Sequence, residues 1–254
     1  MSGFSTFLGK EFTEIRKTWR IWVIPGMLLF FAITSPIIAQ VTPGLMASIS
    51  KSQPGMTVKM PPPTWRDSYA QFLKSLSQMV LIAVVITGAG AVSGERSSGT
   101  AVLTLTKPVS RGSFVLAKIV SQAGLLIGAT VVSTALCAAL TIGIFGPSPL
   151  SPLLVSVSIW VIDALLMIVV MTLFSAAFAA RGASAGAGLG FFFLTLLISI
   201  WPPANRYSFV GLMSASGKAL AQQPTGAGWP VATALVAGVL AAWGAVRVFE
   251  KQEL

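Results

Sequence analysis

Residues 153–180, LLVSVSIWVIDALLMIVVMTLFSAAFAA, carry one charged side chain, Asp163, in an otherwise largely apolar run. An apolar run of about 18 residues or more is long enough to cross the hydrocarbon core of a bilayer as a helix. A helix is suited to lipid because it pairs its own backbone N–H and C=O groups. The run therefore predicts a transmembrane helix, and it indicates that the chain is an all-α membrane protein.

Five further apolar runs accompany this one. The chain is 54% hydrophobic and 9% charged, whereas an average soluble domain has about 25% charged residues. This composition excludes an ordinary soluble fold. The six predicted spans lie near residues 21–41, 76–93, 114–141, 153–180, 184–202 and 229–249.

Lysine and arginine are unevenly divided between the loops on the two sides of these spans. With the N-terminus inside, the inner loops hold eleven of the 17 basic residues and the outer loops hold six. Basic residues favour the cytoplasmic side, so both termini are predicted to be cytoplasmic in a multi-pass protein of the plasma or inner membrane. The net charge of +10 is scattered over these loops, which favours anionic lipid headgroups over nucleic acid as the partner.

The regions outside the spans have compositions of their own. Residues 1–20 place apolar side chains at helical spacing, with the charges largely elsewhere, which predicts an amphipathic helix on the inner membrane surface. Residues 21–254 form the six-span domain, with long outer segments at 42–75 and 202–228. Three consecutive prolines, Pro61 to Pro63, exclude a continuous helix through the first of these segments.

Several kinds of catalytic chemistry are missing from the sequence. Histidine is absent and Cys137 is the one cysteine, so no Ser-His or Cys-His nucleophile can be built, nor a metal site that needs histidine or several thiolates. The two Gly-Lys pairs lack the other residues of a phosphate-binding P-loop. The chain is therefore predicted to be non-catalytic, with no bound metal or cofactor and no ATP hydrolysis of its own.

Asp163 is the acidic residue that lies deep within a predicted span. A charged group at that depth is costly and usually marks a function or a buried partner. It could couple transport to a proton or cation, contact a substrate, or form a hydrogen bond that locks its span to a neighbour. The first role would fit a stand-alone secondary carrier, and the sequence leaves these alternatives open.

A stripe of glycines begins the fifth span. Gly182, Gly186 and Gly190 are four residues apart and share one helix face. Small residues at this spacing let two helices approach closely. The stripe predicts tight packing, against a neighbour either in this chain or in another.

The inner segment at 94–113 is the most polar stretch in the middle of the chain. Within it, Ser98 can cap a short helix that Pro108 must end, and Ser110 can cap the third span. The short helix would expose Leu103 and Leu105 beside charged residues. Such a surface predicts docking into a groove of another protein; the alternative is a helix that lies on lipid.

This segment resembles the stretch after the second span in permease subunits of type-2 ATP-binding-cassette (ABC) exporters. The positions that carry the resemblance are Glu95, Gly99, Thr100, Leu103, Leu105, Pro108, Ser110, Arg111 and Lys118. The amphipathic first helix, the six spans and the long outer segments after spans one and five are similar as well. We call residues 94–113 the coupling segment, because the resemblance implies that it rests on a separate ATPase subunit.

The resemblance implies a transporter of two permease copies and two ATPase subunits, with ATP and magnesium bound by the ATPases. The expected cargo is a small amphipathic or hydrophobic substance such as a drug, peptide or lipid, with an ion as the alternative. Spans two and five would then line the path at the dimer axis, with Phe192, Thr195 and Asp163 as candidate cargo contacts. The alternative remains a stand-alone carrier coupled to ions or protons through Asp163.

Overall fold

The computed structural model describes residues 8–11, 13, 20–51, 61–97 and 110–251. Within this part of the chain, six helical segments are long and apolar enough to cross a membrane, and none of the described residues forms a strand. The predicted all-α fold with six spans is confirmed. Residues 8–11 and 13 are helical, and the other residues of the predicted amphipathic helix at 1–20 lie outside the described residues or begin the first span.

Five of the spans are continuous helices, and short turns join span 3 to span 4 and span 4 to span 5. Span 1 is Arg20–Lys51, span 3 is Arg111–Phe145, span 4 is Ser151–Ala177, span 5 is Arg181–Ser199 and span 6 is Gly228–Glu250. Between spans 5 and 6 lie the short helices Pro202–Tyr207, Phe209–Gly211 and Leu212–Leu220.

Span 2 is assembled from several pieces. It begins as the helix Trp65–Ser75, passes through a π-helical stretch at Leu76–Val80 and continues as the helix Leu81–Gly88. A turn at residues 89–92 then interrupts it before the short helix Ser93–Ser97. The span therefore changes direction just before it reaches the coupling segment.

Both outer segments are more helical than the sequence indicated. Span 1 continues to Lys51 despite Pro36 and Pro43, and the next helix already begins at Trp65, where Thr64 and Asp67 form a capping box. Residues 61–64, which include the three prolines, are non-helical. In the second segment the helix Leu212–Leu220 packs against span 4, and Ser216 Oγ donates to the Ser156 carbonyl at 2.8 Å.

The bundle has two ends, which we name by the residues found there. The termini face carries residues 8–11 and 13, Ser93–Ser97, Arg111, Arg181 and Glu250, which are joined by the contacts described below. The far face carries Trp65, the turn at 146–150 and the short helices at 202–220, and there Arg66 Nη2 donates to Gln222 Oε1 at 3.0 Å. The assignment of the termini face to the cytoplasm stays a prediction.

Span 4 is the centre of the bundle and contacts spans 2, 3, 5 and 6, while span 1 packs mainly on span 3 and the helix Trp65–Ser75. On span 4, Met171 lies directly against two glycines of neighbouring spans. A methyl group at Gly88 would lie 2.9 Å from Met171 Cβ, and one at Gly188 would overlap the Met171 sulfur. Because a larger residue would push these helices apart, Gly88 and Gly188 let spans 2 and 5 approach span 4 closely.

Candidate functional site

The ends of the coupling segment lie at the termini face. Glu95 is in the short helix Ser93–Ser97, and Ser110 and Arg111 begin span 3. The remaining predicted docking residues lie outside the described residues: Gly99, Thr100, Leu103, Leu105 and Pro108. The site is therefore described from the side chains that hold its two ends.

A buried lysine joins three parts of the chain beside the coupling segment. Lys118, on the second turn of span 3, is 1% exposed. Its Nζ lies 3.2 Å from both carboxylate oxygens of Glu11 and donates a hydrogen bond to Glu95 Oε1. The same ammonium group lies 4.9 Å from the centre of the Phe114 ring. We call Glu11, Glu95 and Lys118 the charge cluster.

The charge cluster depends on all of its members. The Glu11 side chain is 5% exposed and the Glu95 side chain 12% exposed, so water can screen these charges little. Removing one partner of a buried ion pair leaves the other charge uncompensated, at a cost of about 3–5 kcal/mol. The N-terminal helix, the end of span 2 and the start of span 3 are thus bound electrostatically into one unit.

The start of span 3 is also attached to the end of span 6. Ser110 Oγ accepts a hydrogen bond from the Ser113 backbone N–H, as predicted for the N-cap of this helix. Arg111 Nη1 donates to the Glu250 carbonyl at 2.8 Å, where the C-terminal end of a helix offers free acceptors. The Phe114 and Phe249 rings are stacked with their centres 5.1 Å apart.

A serine from span 4 stabilises the turn that interrupts span 2. The buried Ser175 Oγ accepts hydrogen bonds from the backbone N–H groups of Val92 and Ser93, at 2.9 and 3.0 Å. It also lies 2.8 Å from the Ala89 carbonyl, to which it donates. One hydroxyl thus satisfies backbone groups that the interrupted helix would leave without partners.

Span 5 contacts the short helix Ser93–Ser97 that follows this turn. Arg181 Nη2 donates to the Gly94 carbonyl at 3.3 Å. A methyl group at Gly94 would lie 3.0 Å from this nitrogen, so glycine makes the close approach possible. The short helix Ser93–Ser97, with which the coupling segment begins, is consequently held by spans 3, 4 and 5 together.

Sequence reasoning identified Glu95, Ser110, Arg111 and Lys118 as members of one motif but missed their partners. Glu11, Ser175 and Arg181 come from distant parts of the chain. Phe114 and Lys118 are four residues apart and so share a helix face, which was a local signal that Lys118 points toward apolar surroundings. The local sequence did not indicate which acidic residues neutralise Lys118.

The candidate cargo contacts lie inside the protomer. Phe192 is 3% exposed, and the buried Thr195 donates its hydroxyl to the Phe192 carbonyl at 2.7 Å. Asp163 is 4% exposed, and its Oδ2 has no hydrogen-bond partner among the described residues. Their roles in transport stay predictions.

The glycine stripe does not pack against the described part of its own chain. Methyl groups placed at Gly182, Gly186 or Gly190 would have no atom of another helix within 4 Å. The nearby Gly188, which faces span 4, is the tightly packed glycine of this span. The stripe therefore remains available to a neighbour outside the described residues.

A family model described as "ABC-2 family transporter protein" matches residues 6–254. The chain belongs to the ABC-2 transporter family. Permeases of this family are membrane subunits, generally non-catalytic, that work with ATPase subunits. The six spans and the family together make the chain a multi-pass permease of the cell membrane.

A curated relative of the ABC-2 chain is the uncharacterized transmembrane protein YxlG of Bacillus subtilis (strain 168). The two sequences are 21% identical over 118 residues. The match covers 46% of this chain and 46% of the relative, so the chain spans less than half the length of that relative.

Proposed function

We propose that the ABC-2 chain forms the membrane path of an ATP-driven exporter and receives its driving force at the coupling segment. The observation that carries the proposal is the charge cluster, because Glu95 and Lys118 flank residues 98–109 on either side. A force applied between them would reach spans 2 and 3 and the N-terminal helix together. Two copies of a separate ATPase, which bind ATP and magnesium, would supply that force.

The connections at the termini face determine which helices would respond. Arg111 links the start of span 3 to the end of span 6, and Arg181 links span 5 to the short helix Ser93–Ser97. When ATP draws the ATPases together, the coupling segment would pull on this assembly as one body. The turn at residues 89–92 would let the end of span 2 move relative to its helix Leu81–Gly88.

The proposed cargo is amphipathic or hydrophobic, and two copies of this chain would enclose its path. The support comes from span 5, whose glycine stripe is open and whose Phe193 and Leu194 are both exposed in the protomer. Close approach of two such spans would bury this face and place an apolar wall along the dimer axis. The alternative, a stand-alone carrier that uses Asp163, would need no partner ATPase.

Leu103→Asp is expected to reduce retention of the partner ATPase by at least about tenfold. Burial of a leucine side chain contributes about 1.5–3 kcal/mol, and about 1.4 kcal/mol corresponds to a tenfold change in affinity. The tagged chain is purified in mild detergent from its native host, and copurifying proteins that contain a P-loop are quantified by mass spectrometry. Leu103→Met, which keeps the apolar contact, should retain the ATPase.

Two outcomes would contradict the proposal. Wild-type stoichiometry of the ATPase on Leu103→Asp would mean that the segment lies on lipid instead of in a protein groove. Transport by the purified chain alone, in vesicles without any ATPase, would favour the carrier.

A Glu95→Gln variant is expected to keep the ATPase but to show weaker coupling between hydrolysis and transport.

The predicted orientation can be tested with single cysteines in a Cys137→Ala background. Lys251 at the termini face and Gln223 at the far face are both exposed. In intact cells, a membrane-impermeant maleimide is expected to label Gln223→Cys and to leave Lys251→Cys unlabelled until the membrane is opened. Labelling of Lys251→Cys in intact cells would place the termini outside.

A further inference from the structure

A cavity of about 430 Å³ lies at the far face, between the ends of spans 5 and 6. The short helices at 202–220 form much of its wall. Its polar lining includes Asn205 and Arg206 from the first short helix, Ser214 and Lys218 from the last, and Thr225 from the loop before span 6. The cavity is thus built by the outer segment 202–228, for which the proposed transport mechanism supplies no role.

Close backbone contacts fix the shape of this cavity. A methyl group at Gly211 would overlap the carbonyl oxygen of Asn205, so the two short helices can approach this closely because residue 211 has no side chain. Asn205 Nδ2 donates to the Ser199 carbonyl at 2.9 Å, which attaches the first helix to the end of span 5. The lining residues therefore lie on a closely packed frame.

The cavity carries positive charge without a counter-ion. Arg206 and Lys218 both line it, and its lining contains no acidic residue. Within the described ranges neither side chain forms an ion pair. Among the described residues of the far face, Asp67 is acidic. Its carboxylate accepts hydrogen bonds from the backbone N–H and the hydroxyl of Thr64. An anion in the cavity would satisfy two cations that the described residues leave uncompensated there.

Aromatic residues indicate the depth of the cavity in the membrane. Trp201 and Trp229 directly precede the lining residues Pro202 and Pro230, and they are 65% and 64% exposed. The Tyr207 ring packs edge-on against Trp229 with the ring centres 6.4 Å apart. Exposed tryptophan and tyrosine at the end of a span occupy the headgroup region of a bilayer. The two cations thus lie where phospholipid phosphates lie.

Apolar side chains continue from the cavity toward the middle of the bilayer. Leu197, on the last turn of span 5, and Ile200, directly after the span, are largely exposed. We propose that the cavity binds the headgroup of an anionic phospholipid, with its phosphate held by Arg206 and Lys218. Its acyl chains lie along Leu197 and Ile200. A free anion would bind the two cations but would make no contact with the apolar surface beside them.

The test measures which lipid the purified chain retains, with no ATPase present. The protein is placed in nanodiscs of equal parts phosphatidylcholine and phosphatidylglycerol, released into mild detergent and examined by native mass spectrometry. The wild type should retain phosphatidylglycerol in preference. Arg206→Gln/Lys218→Gln should retain about tenfold less, because each phosphate contact is a charge-assisted hydrogen bond. Arg66→Gln/Lys74→Gln removes two cations from the helix Trp65–Ser75, outside the cavity lining, and should behave as the wild type.

A second variant separates lost binding from lost folding. Arg206→Lys/Lys218→Arg keeps both charges and should keep the lipid. Equal phosphatidylglycerol retention by the wild type and the double glutamine variant would overturn the proposal. Stabilisation of the detergent-solubilised wild type by inorganic phosphate, without retention of lipid, would also overturn it and would identify a free anion as the ligand. Because no step involves ATP hydrolysis, failure here would leave the proposed exporter function untouched.

Discussion

Lys118→Met is expected to lower the free energy of unfolding by about 3–5 kcal/mol, because it removes a buried ion-pair partner that two carboxylates share. Glu11 and Glu95 lie almost completely out of water, and Lys118 is the cation that contacts both of them. The measurement is unfolding by SDS in mixed micelles, followed by tryptophan fluorescence. Lys74→Met, at an exposed position of the helix Trp65–Ser75, serves as control and should change stability by less than about 0.5 kcal/mol.

A rescue experiment identifies the lost ion pairs as the cause. Adding Glu11→Gln and Glu95→Gln to Lys118→Met removes the two carboxylates that lose this partner while approximately preserving side-chain volume. The triple variant should recover most of the lost stability, since replacing a whole buried ionic group by neutral residues is often neutral or stabilising. If Lys118→Met were as stable as Lys74→Met, the charge cluster would not hold the termini face together. A folded triple variant that still fails to couple hydrolysis to transport would show that the ionic form itself serves coupling.

Ser175→Ala is expected to be the other strongly destabilising change. It leaves the backbone N–H groups of Val92 and Ser93 without their acceptor in a buried place, at about 1–3 kcal/mol for each stranded group. The Ala89 carbonyl keeps one partner, because Ser93 Oγ also donates to it at 2.8 Å. The turn between the two helices of span 2 should therefore loosen, and SDS unfolding should show the loss in stability.

The matched control for Ser175→Ala lies on the same span. The exposed Ser158 donates its hydroxyl to the Leu154 carbonyl one turn back, so Ser158→Ala should change stability by less than about 0.5 kcal/mol. Equal stability of the two variants would contradict the assigned role of Ser175. Hydrogen exchange offers an independent readout, because the amides of Val92 and Ser93 should exchange faster in Ser175→Ala.

Local sequence information was sufficient for the features that depend on neighbouring residues. A long apolar run must be helical in lipid, so the six spans followed from their length and composition. Ser110 was recognised as an N-cap, because its hydroxyl serves an N–H group three residues later. The prolines at 61–63 correctly marked a break, although helix formation on both sides came closer to them than expected. In each case the deciding interaction spans only a few residues.

The partners across the bundle were decided by the tertiary structure alone. Lys118 is 107 residues from Glu11, and helical periodicity shows which face carries a residue but not which other face it will meet. The glycines illustrate the same limit: the regular stripe at 182, 186 and 190 is open in the protomer, whereas Gly188, outside that pattern, packs against Met171. Composition and spacing thus determined how many helices this chain places in the membrane. Packing of distant side chains determined which charges are buried at the termini face and where the far face encloses a cavity, because burial depends on the arrangement of all the helices at once.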